Sequence, residues 1–158
     1  MGSGKTTILS EASDILSSKG IAHAAIDLDT LGIAHLPSGT GADLMFRNLA
    51  SVWANYQAAG VTRLLLAEAL ESAPDVERVR RAIPGAAMVV CRLTTSQQTA
   101  ESRVRVREPG MLQEKFVARV AELEDILHQA ALEDFVLQND HASVTAVAHE
   151  LLLRAGWL

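Results

Sequence analysis

Four short apolar runs alternate with amphipathic stretches along the chain, and this alternation restricts the fold more than any other feature of the sequence. The runs cover residues 22–28, 61–67, 87–93 and 135–138. Short runs with few charges are typical of strands that are buried on both faces. Strands that alternate with helices form a parallel sheet with helices packed against its faces. The sequence therefore predicts an α/β fold.

The stretches between and beyond these runs carry helical patterns, in which apolar residues recur every three or four positions. Asp75 is expected to cap the amino end of the third helix, because its carboxylate can accept from N–H groups there. No repeat, low-complexity tract or long linker divides the sequence, so we expect one domain over residues 1–158. The first predicted helix follows Gly4 and ends near 19–20, the second runs from about 43 to 59, and the third follows Asp75 and stops before Pro84. The fourth begins near Thr95, the fifth runs from about 112 to 131, and the sixth follows Ser143.

The chain opens with MGSGKTT, which leads directly into the first predicted helix. Its GKT matches the last three places of the phosphate-binding loop G-x-x-x-x-G-K-[ST]. Gly4 lets the backbone approach phosphate oxygens, Lys5 can reach the β- and γ-phosphates, and the Thr6 hydroxyl can ligate Mg²⁺. Unpaired amides and the helix dipole attract anions at this helix end. The residues expected to bind the nucleotide here are Gly2, Ser3, Gly4, Lys5, Thr6 and Thr7.

A vector-derived start is the alternative interpretation of this segment, because Met-Gly-Ser often begins engineered chains. The residues that follow oppose it, since Ile8, Ala12 and Leu16 share one face of the helix that GKTT begins. The first glycine of the motif and its supporting strand would lie upstream of Met1. We therefore expect the natural start about 10–15 residues further upstream.

Acidic residues follow two of the apolar runs, at strand ends where parallel sheets bind their ligands. Asp27 and Asp29 are two positions apart and point to the same side of a strand. We expect Asp27 at the metal and Asp29 at a catalytic position, accepting a proton from a substrate hydroxyl. The alternative is that one of them caps the following turn. Glu68 follows the second run and is a further candidate for metal or substrate contact.

An arginine-rich helix follows the third run. Arg103 and Arg107 lie one turn apart on the same face of this helix. Arginines that close over phosphates stabilise charge on the transferred group, and a Pro-Gly break suits the hinge of a lid over about 99–112. The alternative is a solvent-exposed face, on which these arginines pair with Glu101 and Glu108.

Three further polar residues are weaker candidates. Asn139 follows the last strand and is expected beside the nucleotide base, or else in a turn before the Ser143 cap. Arg47 and Asn48 are expected either to grip an acceptor or to be solvated on the helix surface. The histidines lack the spacing of metal ligands, so the sequence assigns them no role.

Charge and hydropathy exclude two classes of partner. The net charge of -5 and the pI near 5.5 argue against nucleic acid as the main partner. No apolar run approaches the ~20 residues that a membrane span needs. Cys91 is the single cysteine and is expected to be a buried thiol, as is common in cytoplasmic proteins. We therefore expect a cytoplasmic protein.

Taken together, these residues resemble the small P-loop kinases: adenylylsulfate kinase, gluconate kinase and the nucleoside monophosphate kinases. The resemblance rests on GSGKTT, the D-x-D at 27–29, the arginines after the strand with Cys91, and the N-D turn at 139–140. The chain looks closest to adenylylsulfate-kinase-like ATP-binding proteins with an IDLD strand end. Only GKTT is specific. Adenylylsulfate kinases usually have D-G-D-N where this chain has D-L-D-T, so the resemblance does not extend to their substrate.

The resemblance implies a P-loop NTPase three-layer sandwich with a mostly parallel sheet. In that family the central first strand leads into the phosphate loop, and that strand is absent from this sequence. A gap is therefore expected between the strands at 61–67 and 87–93, unless those strands pair directly or a partner fills the gap. By resemblance, Lys5 and Thr6 bind phosphate and Mg²⁺, and Asp29 faces the acceptor. Arg103 and Arg107 belong to the lid.

These expectations amount to an ATP-dependent phosphotransferase that acts on a small-molecule acceptor, with ATP and Mg²⁺ as cofactors. The alternative is an ATP-binding protein of P-loop fold with little or no turnover. A GTPase would need an N-K-x-D segment, which the sequence lacks. The expected partners are a nucleoside triphosphate and an acceptor selected by residues 32–48, with homo-oligomers as a further option.

Overall fold

The computed structural model describes residues 1–34 and 43–158. Within these ranges the chain is a mixed α/β structure with a strand at each of the four predicted runs. The strands are β1 Ala24–Asp27, β2 Leu64–Ala67, β3 Cys91–Thr94 and β4 Phe135–Gln138. The helices are α1 Lys5–Ser18, α2 Leu44–Ala58, α3 Ala73–Ala82, α4 Gln97–Arg107, α5 Gln113–Ala130 and α6 Val144–Arg154, with a 3₁₀ turn at Leu28–Leu31.

The first three strands have different limits from the apolar runs that predict them. The ladder between β1 and β2 begins at Ala24 and Leu64, after the first residues of both runs. β3 begins at Cys91 and extends past its run, because Thr94 pairs with Gln138 of β4. An apolar run identifies buried residues, whereas the limits of a strand depend on the length of its partner.

The strands form two separate parallel pairs. β1 pairs with β2, and β3 pairs with β4. Within the described ranges no ladder joins β2 to β3, so direct pairing of these two strands is not observed there. A cavity of about 520 Å³ lies between them instead, lined by both strands. The parallel α/β prediction is therefore confirmed, whereas the two pairs are not joined into one sheet in the described part of the chain.

Helices α1 and α6 pack against one side of the strands. Ile8 and Leu16 of α1 and Leu152 of α6 are at most 1% exposed. They form one cluster with Leu65 of β2 and Leu137 of β4. This packing fixes the amino end of α1 relative to the carboxyl ends of the strands.

Helices α2 and α3 pack against the opposite side. Leu64 and Leu66 of β2 join a second cluster with Leu49 and Trp53 of α2 and Val79 of α3. Because successive side chains of a strand point to opposite faces, β2 is covered by helices on both faces. This explains why its sequence is a continuous apolar run rather than an alternating one.

The predicted cap of α3 is wrong. The helix begins at Ala73, and Ser72 has the extended backbone of an N-cap residue, φ -154° and ψ 159°. Asp75 lies inside the first turn, where its carboxylate accepts from the Ser72 hydroxyl at 2.7 Å and from Arg78 at 2.9 Å. Pro74 permits the earlier start, because a proline in the first turn removes no helical hydrogen bond.

Two further properties of the described residues concern the Cys91 thiol and the hydropathy of the helices. Cys91 is half-buried, and burial raises the pKa of its thiol to about 12. No helix within residues 1–34 and 43–158 has both the length and the apolar character needed to cross a bilayer.

Candidate functional site

The amino end of α1 presents unpaired backbone amides. Gly4 is its N-cap, in the left-handed conformation with φ 90°, and no side chain of the described residues caps this end. The first helical bond in this turn joins the Ile8 N–H to the Gly4 carbonyl at 2.9 Å. The N–H groups of Lys5, Thr6 and Thr7 therefore have no helical acceptor. Such an end attracts an anion.

Two side chains from distant elements hold the loop that precedes this helix. Asn139, which follows β4 and is 5% exposed, donates its side-chain amide to the Ser3 carbonyl at 2.8 Å. Arg103 of α4 donates to the Gly2 carbonyl and to the Asn139 carbonyl, both at 3.2 Å. The loop is thus tied to β4 and to α4. Two residues predicted at the site, Asn139 and Arg103, do contact the glycine-rich segment.

Both glycines of the loop are needed for this packing. A Cβ built on Gly4 would collide with the Asn139 side-chain nitrogen, and one on Gly2 would collide with the Ala100 backbone. Both residues have positive φ, 71° at Gly2 and 90° at Gly4, which favours glycine. Glycine is therefore favoured at positions 2 and 4 both by the close approach of Ala100 and Asn139 and by the backbone conformation.

Thr6 and Asp27, the predicted metal pair, lie together. The Thr6 hydroxyl donates to the Asp27 carboxylate at 2.6 Å, which joins the first turn of α1 to the end of β1. A hydroxyl and a carboxylate both provide oxygen ligands that suit Mg²⁺, which usually keeps several waters and takes few protein ligands. The described residues contain no group of three or more His, Cys, Asp or Glu side chains arranged to hold a metal.

Glu68 is a functional candidate with a stronger structural signal than its sequence suggests. It follows β2, and its Oε2 atom is buried without a hydrogen-bond partner among the described residues. Burial raises its pKa to about 7, and the nearby charges of Asp29 and Asp27 act in the same direction. An accepted hydrogen bond from the Ala69 N–H and the charge of Lys5 oppose that rise. A half-buried carboxyl beside two acids and a lysine can exchange a proton near neutral pH.

Asp29 lies in the 3₁₀ turn that follows β1 and is exposed. The turn is held by Asn48, which donates its side-chain amide to the Leu31 carbonyl at 2.8 Å. Asn48 therefore positions the segment that carries Asp29, whereas Arg47 is exposed on α2. Part of the predicted acceptor region, residues 35–42, lies outside the described ranges.

The two predicted lid arginines differ in their contacts. Arg103 reaches the loop, as described above, whereas Arg107 pairs with Glu108 at 2.9 Å, and its side chain is 59% exposed. The alternative of local pairing is therefore observed for Arg107. Residues 99–107 belong to α4, which packs on α5 through Ala100, Val104 and Val117.

The turn after β4 supports the same region. Asp140 accepts from the Ser96 N–H at 2.9 Å and from the Thr95 hydroxyl. These bonds lower the pKa of Asp140 to about 2, the Thr95 hydroxyl having the larger effect. Asn139 and Asp140 thus join the end of β4 to the loop before α1 and to the start of α4.

A cavity of about 280 Å³ opens beside the loop, between β3 and α5. Ser3, Lys5, Glu68 and Thr95 line it, together with Ala121 of α5. The cavity brings the start of α1 and the ends of β2 and β3 around one space. A phosphate-sized group placed there would lie beside a lysine and the Glu68 carboxyl group.

Sequence patterns predict most of these residues, whereas Glu68 is a stronger candidate in the structure than in the sequence. The identity of the residue gives no sign that one carboxylate oxygen is buried without a partner; the position at a strand end was the only available signal. Comparison of the chain with models of protein families, with curated proteins and with solved structures gave no match.

Proposed function

We propose that this chain is an ATP-dependent phosphotransferase that acts on a small-molecule acceptor. The observation that carries the proposal is the Thr6–Asp27 contact of 2.6 Å beside unpaired amides at the amino end of α1. The cover of helices on both faces of β2 supports a three-layer sandwich of the P-loop type as the fold.

The triphosphate would bind at the amino end of α1. The N–H groups of Lys5, Thr6 and Thr7 would donate to phosphate oxygens, and the Lys5 ammonium would reach the terminal phosphates. Arg103 would act as a positioning residue, because its two bonds to the Gly2 and Asn139 carbonyls hold the loop. These donors would stabilise the bound phosphates because they need no rearrangement when the phosphates bind.

The residues around Thr6 fit a magnesium ion. Thr6 and Asp27 would hold it. The Glu68 Oε2 atom is a further buried oxygen without a partner among the described residues, and Glu68 is close enough to Asp27 for the Asp27 charge to raise its pKa. Bound Mg²⁺ would neutralise charge on the phosphate oxygens.

Asp29 would accept the proton of the acceptor hydroxyl. As that oxygen bonds to the γ-phosphorus, the bond from phosphorus to the bridging oxygen of ADP breaks and the acceptor proton moves to the Asp29 carboxylate. The exposure of Asp29 leaves it accessible to an acceptor that arrives from solvent. The single half-buried thiol, Cys91, suits a cytoplasmic location for this activity.

A nucleotide-binding protein with little turnover is the second candidate. The Arg107–Glu108 pair favours it, because an arginine that is paired and exposed does not contact the phosphates. The two candidates share the nucleotide site and differ only in whether a phosphoryl group leaves it.

ADP formation from ATP and Mg²⁺ in the presence of a panel of small alcohols, sugars and nucleoside monophosphates separates the two candidates. We expect one acceptor class to raise ADP formation above the level without acceptor. Asp29→Asn should lower this rate by about 100-fold or more, since a positioned base contributes at least that much, while ATP affinity stays within about threefold.

Asp14→Asn is the matched control, because Asp14 is also exposed but lies in the middle of α1. It should leave the rate unchanged. ATP binding without ADP formation for any acceptor would favour the second candidate. An Asp29→Asn rate equal to that of Asp14→Asn would reject the role of Asp29.

A further inference from the structure

Asn139 is the one polar residue that is buried among the residues that the structure describes, with 5% of its surface exposed. Burying a polar side chain costs free energy unless it forms hydrogen bonds. Its backbone N–H donates to the Thr94 carbonyl of β3 at 2.8 Å, and its carbonyl accepts from Arg103 of α4 at 3.2 Å. These two bonds fix the backbone of Asn139, so its side chain meets the loop before α1 from a set position.

The side-chain amide of Asn139 is directed at the backbone of this loop. It donates to the Ser3 carbonyl at 2.8 Å. It also packs against Gly4, because a Cβ built on Gly4 would collide with the same side-chain nitrogen. The amide therefore acts on the conformation of the loop, whereas the sequence predicts a contact with the nucleotide base.

The bond from Asn139 sets the direction of the peptide group that joins Ser3 to Gly4. The described residues contain no cis peptide bond, and in a planar trans peptide the C=O and the N–H point in opposite directions. Because the Ser3 carbonyl points at Asn139, the Gly4 N–H points away from it. Rotation of this peptide group would present a carbonyl oxygen, which repels an anion, in place of the N–H.

Arg103 sets the preceding peptide group in the same way. It donates to the Gly2 carbonyl at 3.2 Å, so the Ser3 N–H points away from Arg103. The backbone hydrogen bonds of the described residues include none from the Ser3 or Gly4 N–H. Gly4 is in the left-handed conformation, and successive N–H groups around such a residue can form a concave site for an anion. The loop thus adds two oriented donors to those at the start of α1.

We propose that Asn139 is a positioning residue for the phosphates of the nucleotide: its side-chain amide holds the Ser3 carbonyl away from them and leaves the Gly4 N–H to donate to them. This role rests on the proposed function, because it concerns the same nucleotide site. Asn139 itself contacts neither the base nor the phosphates. Substitution of Asn139 therefore affects the binding of the polyphosphate and not the recognition of the base.

Isothermal titration of ATP and of inorganic tripolyphosphate, each with Mg²⁺, tests this role. Asn139→Ala removes the donor without adding a charge. We expect both ligands to bind at least about tenfold more weakly to this variant, since one hydrogen bond to the loop is lost. A residue that contacts the base would weaken the binding of ATP alone. Gln138→Ala, at the exposed neighbouring position, is the matched control and should keep the wild-type affinity for both ligands.

Asn139→Asp provides a test by pH. The introduced carboxyl group has nearly the shape of the amide, but it can donate to the Ser3 carbonyl only when it is protonated. Burial raises the pKa of such a carboxyl, so the affinity for ATP relative to the wild type should recover as pH falls from about 8 to 5. Gln138→Glu makes the same charge change at an exposed position, where a carboxylate stays ionised over this range. Its affinity relative to the wild type should change little with pH.

Amide hydrogen exchange in the nucleotide-free chain measures the loop directly. The Ile8 N–H donates to the Gly4 carbonyl at 2.9 Å and reports the first turn of α1. It should exchange at least about tenfold faster in Asn139→Ala. Leu16, near the other end of the same helix, should keep its wild-type exchange and so confirm that the variant is folded. If Leu16 also loses protection, the recovery of Asn139→Asp at low pH decides the question.

Three results would overturn the role of Asn139. They are wild-type affinity of Asn139→Ala for both ligands, a loss that is confined to ATP, and a constant relative affinity of Asn139→Asp across the pH range. In each case the wild type still binds ATP, so the proposed function stands. Absence of binding by the wild type would instead overturn the proposed function, and the phosphates with it as the ligand of the loop.

Discussion

At the scale of single residues, Glu68 combines burial with three charged neighbours. Its Oε2 atom lacks a partner among the described residues, while Asp29 and Asp27 raise its pKa and Lys5 lowers it. A cation bound close to this carboxyl would favour its ionised form and lower its pKa.

The raised pKa of Glu68 predicts a pH-dependent stability. The folded chain holds the proton up to about pH 7, because the pKa of Glu68 is raised there, whereas the unfolded chain releases it near the usual pKa of 4.5. Unfolding therefore releases a proton between these values, and the contribution of Glu68 to stability is complete below pH 4.5 and lost as pH rises toward 7. Urea unfolding at several pH values should show a smaller decline for Glu68→Gln than for the wild type.

Glu77→Gln is the control for this measurement, because Glu77 is 57% exposed and pairs with Arg80 on the surface. It should keep the wild-type decline between pH 4.5 and 7. A Glu68→Gln profile parallel to that of the wild type would contradict the buried, proton-retaining state of Glu68.

Gly4 and Gly20 offer a matched pair of substitutions that tests the packing of the loop before α1. Both have positive φ, 90° and 68°, but a Cβ on Gly4 would collide with Asn139, whereas a Cβ on Gly20 meets open space. Gly20→Ala should cost only the backbone strain, about 1–2 kcal/mol. Gly4→Ala should cost more in urea unfolding and should also abolish ATP binding, because the loop must move away from Asn139. Equal effects of the two substitutions on unfolding and on ATP binding would contradict the packed loop.

At the scale of elements, the sequence predicts that a strand or helix is present better than it predicts the residues at which that element begins and ends. The four apolar runs located the four strands, because burial on both faces leaves a direct mark on composition. The start of α3 was missed although Ser72 and Asp75 have the S-x-x-D spacing of a capping box. In this case the sequence does carry the signal, because the S-x-x-D spacing favours the serine, not the aspartate, as the cap.

At the candidate site, the sequence predicts which residues are involved but not which of them contact one another. GKTT and the D-x-D pattern are local, and they led to Thr6, Asp27 and Asp29. The contacts of Arg103 with Gly2 and Asn139 join residues that are 101 and 36 positions apart. Only the packing of α4 and the end of β4 against the loop before α1 brings them together, so local patterns could name Arg103 and Asn139 but could not assign their partners.

The packing of α6 on α1 is testable with adjacent leucines. Leu152 is fully buried in the cluster that holds α1, whereas Leu153 is 45% exposed. Leu152→Ala should lower the free energy of unfolding by about 2–5 kcal/mol. Leu153→Ala should lower it by about 0.5 kcal/mol or less, as is usual for surface positions. Similar losses for both variants in urea unfolding would contradict the orientation of α6.

At the scale of the whole molecule, the proposed nucleotide site is a locally basic part of an acidic chain. The net charge is -5, yet Lys5, Arg103 and the unpaired amides of α1 converge on one loop. Long-range repulsion of a nucleotide by the overall charge is screened at physiological salt, since the Debye length is about 8 Å. If the proposed site binds a nucleotide, short-range contacts at the loop would therefore decide the affinity.

The central claim is that a magnesium nucleotide binds at the amino end of α1, and isothermal titration of ATP and Mg²⁺ tests it most directly. Lys5→Ala is compared with Lys19→Ala, which removes an exposed lysine just past the other end of the same helix. We predict one site per chain, an affinity about 10- to 100-fold weaker for Lys5→Ala, and wild-type affinity for Lys19→Ala. Absence of binding by the wild type, or equal affinities for the two variants, would contradict the claim.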